Sequence, residues 1–564
     1  MEALDWLVIG VFFLALIGII VWVVRQKQND SADYFLGGRD ATWLAIGASI
    51  FASNIGSEHL IGLAGAGASS GMAMAHWEIQ GWMILILGWV FVPFYTRSMV
   101  YTMPEFLERR YNPQSRTILS VISLVSYVLT KVAVTVYAGG LVFQQVFGIK
   151  ELWGIDFFWI AAIGLVVLTA LYTIFGGMKS VLYTSVLQTP ILLLGSLIIL
   201  VLGFKELGGW DEMMRVCGAV TVNDYGDTMT NLIRSNDDAN FPWLGALIGS
   251  AIIGFWYWCT DQFIVQRVLS GKNEMEARRG TIFGAYLKLL PVFLFLIPGM
   301  IAFALHQKYI GAGGEGFLPM LENGTANADA AFPTLVAKLL PAGVKGLVVC
   351  GILAALMSSL ASLFNSSAML FTIDFYKRFR PETPEKKLVG IGQIATVVIV
   401  ILGILWIPIM RSVGDVLYTY LQDVQSVLAP GIAAAFLLGI CWKRTSAQGG
   451  MWGLIAGMVI GLTRLGAKVY YSNAGEVADS TFKYLFYDMN WLFFCGWMFL
   501  FCIIVVIVVS LATEAPTAEK IQGLVFGTAT KEQKASTRAS WNHWDIIHTV
   551  IILAITGAFY WYFW

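Results

Sequence analysis

The chain has 564 residues, of which 57% are hydrophobic and 13% are charged, with equal numbers of acidic and basic side chains. A soluble chain of this length carries about twice that share of charge, and the neutral balance without a basic patch gives no sign of a nucleic-acid partner. Apolar runs of about 20 residues, long enough to cross a bilayer, recur from end to end. The composition therefore predicts an all-α polytopic membrane protein in a lipid bilayer.

Hydropathy predicts fourteen membrane spans. In chain order they lie near 6–24, 43–75, 79–100, 117–147, 157–178, 184–204, 243–263, 282–306, 344–372, 388–410, 414–440, 450–471, 490–512 and 546–563. Alternate loops are rich in Lys and Arg, which makes them cytoplasmic by the positive-inside rule. We therefore expect a plasma membrane or bacterial inner membrane protein with both termini extracellular or periplasmic. The sequon at Asn323 would then lie on the outer side.

The second span is unusual because it contains FASNIGSEHLIGLAGAGASSG (51–71), with Asn54, Glu58 and His59 among many glycines. Small residues four apart are typical of close helix packing, but packing does not explain the amide, the carboxylate and the imidazole. A carboxylate inside a bilayer is costly unless it is paired or lines a cavity. We therefore predict a discontinuous helix, whose freed carbonyls and half-helix ends face a cation and a polar substrate.

Later spans carry further polar and aromatic residues: Glu78 in HWEIQGW, Tyr257 and Trp258 in FWYWCTDQ, Lys288 in YLKLLP and Gln422 in YLQDVQ. Each has an ordinary explanation, since Lys288 could snorkel, Trp258 could belong to an aromatic belt and Gln422 could join two helices. Together with the polar groups of the second span they are typical of a site for a neutral polyhydroxylated ligand. Carboxylate, amide and ammonium groups bind hydroxyls, and an aromatic face packs on a sugar ring.

A cation site is indicated by LAALMSSLASLFNSSAML (353–370), in which Ser358 and Ser359 are adjacent. Such hydroxyls usually bond back to the carbonyl four residues earlier. Beside an unwound segment they could instead complete an oxygen cage. A cage of carbonyls and hydroxyls without a carboxylate suits a monovalent ion better than calcium.

Several motifs in the same order carry a family resemblance. They are SADYFLGGR (31–39), FASNIGSEH, TMPEFLERRY (102–111), YTIFGGMKSV, WYWCTDQFIVQR, YLKL, ALMSSL and APGIAAAFLLGICWKR. Through them the chain resembles the sodium/solute symporter family, in its sodium/glucose cotransporter branch, over nearly its whole length. The resemblance implies the leucine-transporter-type fold, with two inverted five-helix repeats and broken helices.

This resemblance also implies how the chain is divided. We expect an extra helix with the first cytoplasmic loop at 1–42, the first repeat at 43–204, an extracellular loop at 205–242 and the second repeat at 243–440. Three further helices would follow over 441–564, with a cytoplasmic loop at 513–545.

Site residues carry over from the family by position. The sugar site falls on Asn54, His59, Glu78, Tyr257, Trp258, Lys288 and Gln422, with Tyr257 as an inner gate beneath the sugar. The sodium site falls on the carbonyls of Ala52, Ile55 and Ala355 and the hydroxyls of Ser358 and Ser359.

Four positions depart from the family pattern. Gly254 stands where sugar-transporting relatives have Asn or Thr, and Ile79 where a Trp often follows the acid. Ser185 replaces an Asp that members with a second sodium site carry, and Ala355 replaces a Ser that some members have there. Because a second cation would be poorly compensated in a low dielectric, the sequence predicts one sodium per sugar.

The predicted function is sodium-coupled uptake of a sugar, a hexose such as glucose or galactose or a close polyol, by alternating access in a functional monomer. A sodium symporter for a sugar acid or an amino acid is the first alternative, although Lys288 without a bidentate Arg favours a neutral ligand. A channel is a second alternative, but repeated filter elements are not found in the sequence. An enzyme is not expected, because the five histidines are dispersed and form no HExxH motif.

Overall fold

The computed structural model describes residues 1–26, 30–56, 58–321, 324–411, 417–473 and 478–564. The sequon residue Asn323 and the first residues of the span predicted at 414–440 lie outside these ranges. Helices dominate, as expected for a chain whose backbone polar groups must be satisfied within each segment in lipid. Within the described ranges the named strands are Glu151–Leu152 and Ile155–Asp156, which form one short antiparallel hairpin.

Helices of the first part of the chain run from the N-terminus to a long kinked helix. They are Ala3–Val24, Ser31–Leu36, Gly37–Arg39, Trp43–Asn54, Glu58–Leu63, Ala64–Ser70, Gly71–Met74, Ala75–Glu78, Gly81–Ile86, Leu87–Phe91, Val92–Ser98, Met103–Arg110, Pro113–Ser126, Tyr127–Val132, Ala133–Phe147, Phe157–Leu207 and Trp210–Gly218. Several are single π-helical turns inside longer helices, a feature that is frequent at functional sites.

The middle of the chain is also mostly helical, with π-helical turns inside longer helices. Its helices are Trp243–Gly254, Phe255–Thr260, Gln262–Leu269, Glu274–Lys288, Val292–Leu296, Ile297–Gly311, Ala328–Ala330, Ala331–Leu339, Val344–Met369, Leu370–Tyr376, Lys377–Phe379, Glu385–Arg411 and Leu417–Cys441. The C-terminal part adds Ala447–Asn473, Thr481–Lys483, Tyr484–Asp488, Trp491–Ala512, Ala518–Ile521, Lys531–Ala539 and His543–Tyr562.

Eleven helical segments among the described residues are long and apolar enough to cross a membrane. One of them, Phe157–Leu207, has 51 residues and consists of two helices joined at Gly177. Gly177 has φ +52°, and a Cβ there would lie 2.4 Å from the carbonyl oxygen of Tyr34. Only glycine fits this conformation and this contact. The junction falls where the sequence predicts the boundary between two spans, while the total of fourteen stays a prediction.

The predicted discontinuity in the second span is confirmed. Helix Trp43–Asn54 ends because Ile55 adopts an extended conformation (ψ 109°), and a π-helical turn begins at Glu58. The Glu58 carboxylate lies against Gly56, where a Cβ would come within 2.4 Å of Oε2. We call Trp43–Asn54 together with Glu58–Ser70 the broken helix.

The helix that carries the paired serines lies at the centre of the molecule. Val344–Met369, called the serine helix below, is buried along most of its length. It packs against the broken helix and against Phe157–Leu207. Ser53 Oγ and Ser362 Oγ, 2.6 Å apart, join it to the first half of the broken helix. The fold thereby places the backbone break beside the serines.

Candidate functional site

One internal cavity is lined by all seven side chains that the sequence predicts to bind substrate. They come from the broken helix, Ala75–Glu78, Phe255–Thr260, Glu274–Lys288 and Leu417–Cys441. The cavity has a volume of about 60 Å³, which is room for a few water molecules. The cavity is therefore narrow in this conformation.

Five of the seven side chains form a continuous polar chain centred on Glu78. Glu78 Oε2 lies 2.6 Å from Lys288 Nζ and 3.2 Å from His59 Nε2. Lys288 also donates to Asn54 Oδ1 at 3.1 Å, and Asn54 Nδ2 donates to the Tyr257 hydroxyl at 3.1 Å. Since Lys288 is only 3% exposed and paired within the bundle, the snorkelling alternative is wrong.

Trp258 occupies the same cavity and is also buried, so the aromatic-belt alternative is wrong as well. Its indole Nε1 donates to Gln80 Oε1 at 3.3 Å, and the Lys288 ammonium lies 5.3 Å from its ring centre. Gln80 in turn donates to the Ser250 carbonyl at 2.8 Å. The tryptophan thus lies beside a cation and an amide.

Gln80 explains the departure at Gly254. A Cβ on Gly254 would lie 2.5 Å from Gln80 Oε1, so the Gln80 amide fills the space that a side chain at position 254 would take. A side-chain amide therefore borders position 254 although the residue there is glycine. The sequence pattern missed this contact because Gln80 and Gly254 are far apart along the chain.

Gln422 has an unsatisfied acceptor among the described residues. It is buried, and its Oε1 has no hydrogen-bond partner among the residues that the structure describes. A buried amide oxygen without a donor costs about 1–3 kcal/mol. Such an atom at the wall of a cavity can accept a hydrogen bond from a ligand hydroxyl.

Several residues that line or adjoin the cavity were not predicted as site residues. Lys131 Nζ lies 2.6 Å from Asp261 Oδ2 and 4.7 Å from the centre of the Tyr257 ring. The Tyr127 hydroxyl also donates to Asp261, and Glu58 lines the cavity. A lone lysine inside the apolar span 117–147 was a usable signal, since intramembrane charges mark functional or paired sites.

Trp77 forms another wall of the cavity. Its ring stacks on Trp491, with ring centres 5.4 Å apart, and meets Phe241 edge-on at 6.1 Å. Trp77 thus connects the cavity wall to the loop that precedes Trp243–Gly254 and to the helix Trp491–Ala512. Sequence pattern did not indicate this contact, because the three residues come from distant parts of the chain.

The five residues predicted to bind sodium are all buried. Ala52 and Ile55 lie at the end of Trp43–Asn54, and the other three lie on the serine helix, which packs against it. The carbonyl of Ala52 belongs to the last turn of Trp43–Asn54, where carbonyls lose their partners within the helix. Ser358 Oγ lies 3.3 Å from Ser185 Oγ, and Ser359 also lines the substrate cavity. Ala355 lies on the same helix, one turn before the serines.

Comparisons with known proteins show which family and which fold this chain is similar to. A sequence profile described as "Sodium:solute symporter family" matches residues 34–457. Sodium/myo-inositol cotransporter 2 of Mus musculus is 37% identical over 542 residues, which are 94% of this chain and 80% of that protein. Sodium/glucose cotransporter 4 of Danio rerio is 35% identical over 560 residues, covering 96% of this chain and 84% of that protein.

A solved structure shows the same fold. It is the substrate-bound outward-open state of a Na⁺-coupled sialic acid symporter, with a TM-score of 0.72 and 22% identity. The match covers 92% of this chain and 99% of that one. The predicted leucine-transporter-type fold is thereby confirmed.

Proposed function

Because the chain belongs to the sodium:solute symporter family, a family of membrane transporters that couple sodium to a solute, we propose that its solute is a sugar or a cyclic polyol. The narrower choice lies between a hexose, such as glucose or galactose, and a polyol such as an inositol. Relatives named for both solutes are similar to this chain at nearly equal identity.

The chemistry of the cavity supports a neutral polyhydroxylated ligand. Glu78 and the unsatisfied Gln422 Oε1 offer acceptors, while Lys288 and Asn54 offer donors. The carboxylate and the ammonium already neutralise each other, so an ionised ligand would add an uncompensated charge. The observation that carries the proposal is the buried Gln422 oxygen in the same cavity as this ion pair.

A close polyol is as well suited to the site as a hexose. Gln80 places an amide at the wall where Gly254 leaves space, and Trp258 provides an aromatic face. An amide both donates to and accepts from ring hydroxyls. Neither group distinguishes a pyranose from a cyclohexanol ring, so both belong in the first substrate screen.

Sodium would bind between the broken helix and the serine helix, on the carbonyls of Ala52, Ile55 and Ala355 and the hydroxyls of Ser358 and Ser359. The ion would hold the two helices together and favour the outward-open state, so that the sugar meets a formed pocket. Tyr257, which bonds to Asn54, would act as the inner gate. Inward opening would separate the cage and release both solutes.

The coupling ratio would be one sodium per sugar. Ser185 donates to the Val181 carbonyl at 2.6 Å and lies 3.3 Å from Ser358 Oγ and 3.5 Å from Ser49 Oγ. A cluster of neutral hydroxyls offers no negative charge to a second cation. The inverted repeats at 43–204 and 243–440, the outward termini and function as a monomer in a plasma or bacterial inner membrane belong to the same proposal.

A transport screen in proteoliposomes tests the proposal. The purified chain is reconstituted, and uptake of glucose, galactose, myo-inositol, a sugar acid and an amino acid is measured with and without an inward sodium gradient. We expect saturable, sodium-dependent uptake of a hexose or an inositol and none of the charged solutes. Sodium-driven uptake of only the sugar acid or the amino acid would overturn it, as would ohmic conductance without saturation. Paired isotope fluxes give the ratio, and two sodium ions per sugar would refute the argument from Ser185.

A further inference from the structure

A second, larger groove lies on the outside of the helix bundle. It has a volume of about 560 Å³. It lies between the start of the broken helix, the helix Glu274–Lys288 and the start of the helix His543–Tyr562. Its walls include Trp43, Ile282, Phe283, Tyr286, Trp544 and His548. None of these residues belongs to the substrate cavity or the proposed sodium site.

Two exposed tryptophans place the groove at the boundary of the membrane. Trp43 is 40% exposed and Trp544 is 57% exposed, and each stands at or next to the first residue of its helix. Tryptophan is enriched at the level of the lipid headgroups. Both helices follow loops that the charge distribution assigns to the cytoplasm, so the groove faces the inner leaflet.

The groove has one polar end, formed by Arg279, Asp545 and Asn542. Arg279 Nε donates to Asp545 Oδ1 at 3.1 Å, and the arginine side chain is 33% exposed. The N–H groups on its two terminal nitrogens make no hydrogen bond within the described part of the chain, although a guanidinium has five donors in a planar fork. Such a fork binds phosphate oxygens in pairs.

We infer that this groove binds one phospholipid of the inner leaflet, with the phosphate on Arg279 and an acyl chain along Phe283 and Tyr286. Asp545 balances the charge of Arg279 but leaves its terminal N–H donors open, so donors next to apolar aromatic walls complement a molecule with phosphate oxygens at one end and acyl chains along the rest. Basic pockets between helices on the cytoplasmic side are known to hold lipid headgroups in this way. In a bilayer the apolar part of the groove is filled by acyl chain and not by water.

The lipid would join two helices that carry substrate-site residues. Trp43 begins the helix that ends at Asn54, and its backbone N–H bonds to Glu276 Oε2 at 2.6 Å. Its ring meets Phe283 edge-on at 5.4 Å, on the helix that ends at Lys288. A lipid against both tryptophans therefore lies beside the contact between these two helices.

Photolabelling tests the site directly. The chain is placed in nanodiscs that contain a phospholipid with a diazirine in its acyl chain, and the labelled peptides are identified by mass spectrometry. We expect labelling concentrated at Phe283–Tyr286 and Trp544–His548, and reduced by excess unlabelled phospholipid. The apolar outer face of Glu385–Arg411, which carries Leu402 and Leu405, serves as the reference. Equal labelling of both faces would overturn the proposal.

Lipid retention tests the role of the phosphate. Bound phospholipid per protein is counted after exhaustive detergent washing for wild type, Arg279→Gln and the matched Lys272→Gln, an exposed cation outside the groove. Loss of a charge-assisted bond predicts about tenfold less retention in Arg279→Gln and none lost in Lys272→Gln. Equal retention in all three, or equal labelling by a diazirine diacylglycerol that lacks phosphate, would contradict it.

A second pair of variants tests whether a loss of bound lipid results from misfolding. Trp544→Ala removes a wall of the groove, at the start of the helix His543–Tyr562. Trp564→Ala removes an exposed tryptophan that follows the other end of that helix. Both should elute as the wild type on size exclusion, and only Trp544→Ala should lose phospholipid. Because the readout is bound lipid and not uptake, its result is independent of which solute the chain carries.

Discussion

Two buried ion pairs of this molecule have the same chemistry and different surroundings. In the first, Glu78 pairs with Lys288 at 2.6 Å at the wall of the substrate cavity. In the second, Asp374 pairs with Arg116 at 2.6 Å where the helix Pro113–Ser126 meets Leu370–Tyr376. Both carboxylates are almost completely buried. A charge buried in the bundle is therefore not by itself a mark of the binding site.

The two ion pairs differ in their hydrogen bonding and in whether they adjoin the cavity. Asp374 also accepts from the Thr102 hydroxyl at 2.8 Å and the Ser120 hydroxyl at 3.1 Å, and Arg116 has a second carboxylate in Glu108. The Glu78 pair adjoins a cavity that also contains the unsatisfied oxygen of Gln422. A fully bonded pair outside the cavity stabilises the packing of helices, whereas a pair beside the cavity and an unpaired acceptor can bind a ligand.

The largest effect is expected from Lys288→Met. The substitution leaves Glu78 without its ammonium partner, and breaking a buried pair costs about 3–5 kcal/mol. Sodium-driven uptake per folded molecule should fall by about a hundredfold or more. The measurement is initial uptake normalised to monodisperse protein, with Lys272→Met as the control. Uptake within about threefold of wild type would show that this pair is only structural.

Arg116→Met should lower the stability of the protein and leave its transport activity nearly unchanged. Asp374 then loses its cation, so the free energy of unfolding should fall by about 3–5 kcal/mol and the melting temperature in detergent should drop. Uptake per folded molecule should stay close to wild type, because the pair does not line the cavity. The exposed Arg378 serves as control in Arg378→Met. A stable protein that no longer transports would make the two pairs equivalent.

Gln422→Ala addresses the unsatisfied acceptor. Loss of one hydrogen bond to substrate should weaken apparent affinity by about 1–3 kcal/mol, or roughly 5- to 150-fold. Stability should change little or rise, since the oxygen has no protein partner among the described residues. Substrate-concentration curves measure the change, and Gln393→Ala, whose amide bonds to Ile174 away from the cavity, is the control. An unchanged affinity would remove Gln422 from the site.

Asp329 is a third case, a buried carboxylate oxygen without a hydrogen-bond partner among the described residues. It lies against Gly65 of the broken helix, and burial raises the pKa of its carboxyl to about 6. The folded state holds the proton more tightly than the unfolded chain, so stability should fall as pH rises from about 4 to about 6. A partly exposed group contributes on the order of 1 kcal/mol.

Asp329→Asn should remove this pH-dependent loss and be the more stable protein at pH 7. Melting temperatures of wild type and variant between pH 4 and pH 7 measure the difference. Asp237→Asn, on an exposed loop, should keep the wild-type slope. Parallel curves for wild type and Asp329→Asn would show that the carboxyl is solvated in the folded protein.

Sequence patterns were sufficient for the class of protein and for selecting seven side chains that line one cavity. Long apolar runs predict helices in a bilayer, because backbone groups must be satisfied within each segment there. Polar residues inside such apolar runs are unusual, so Asn54, Glu78 and Lys288 could each be identified as candidate site residues from the sequence. Gly-rich polarity in the second span predicted a break, and the structure has it at Ile55 and Gly56. Family resemblance supplied the proposed roles of these residues, which composition does not indicate.

Tertiary structure decided which of these groups meet. Lys288 and Glu78 are 210 positions apart in the chain, and Trp258 and Gln80 are 178 apart. Hydropathy and helical period describe single helices and carry no information about which faces pack together. The filling of the Gly254 space by Gln80 and the pairing of Lys131 with Asp261 follow from helix packing, which depends on the shape and volume of all neighbouring side chains at once.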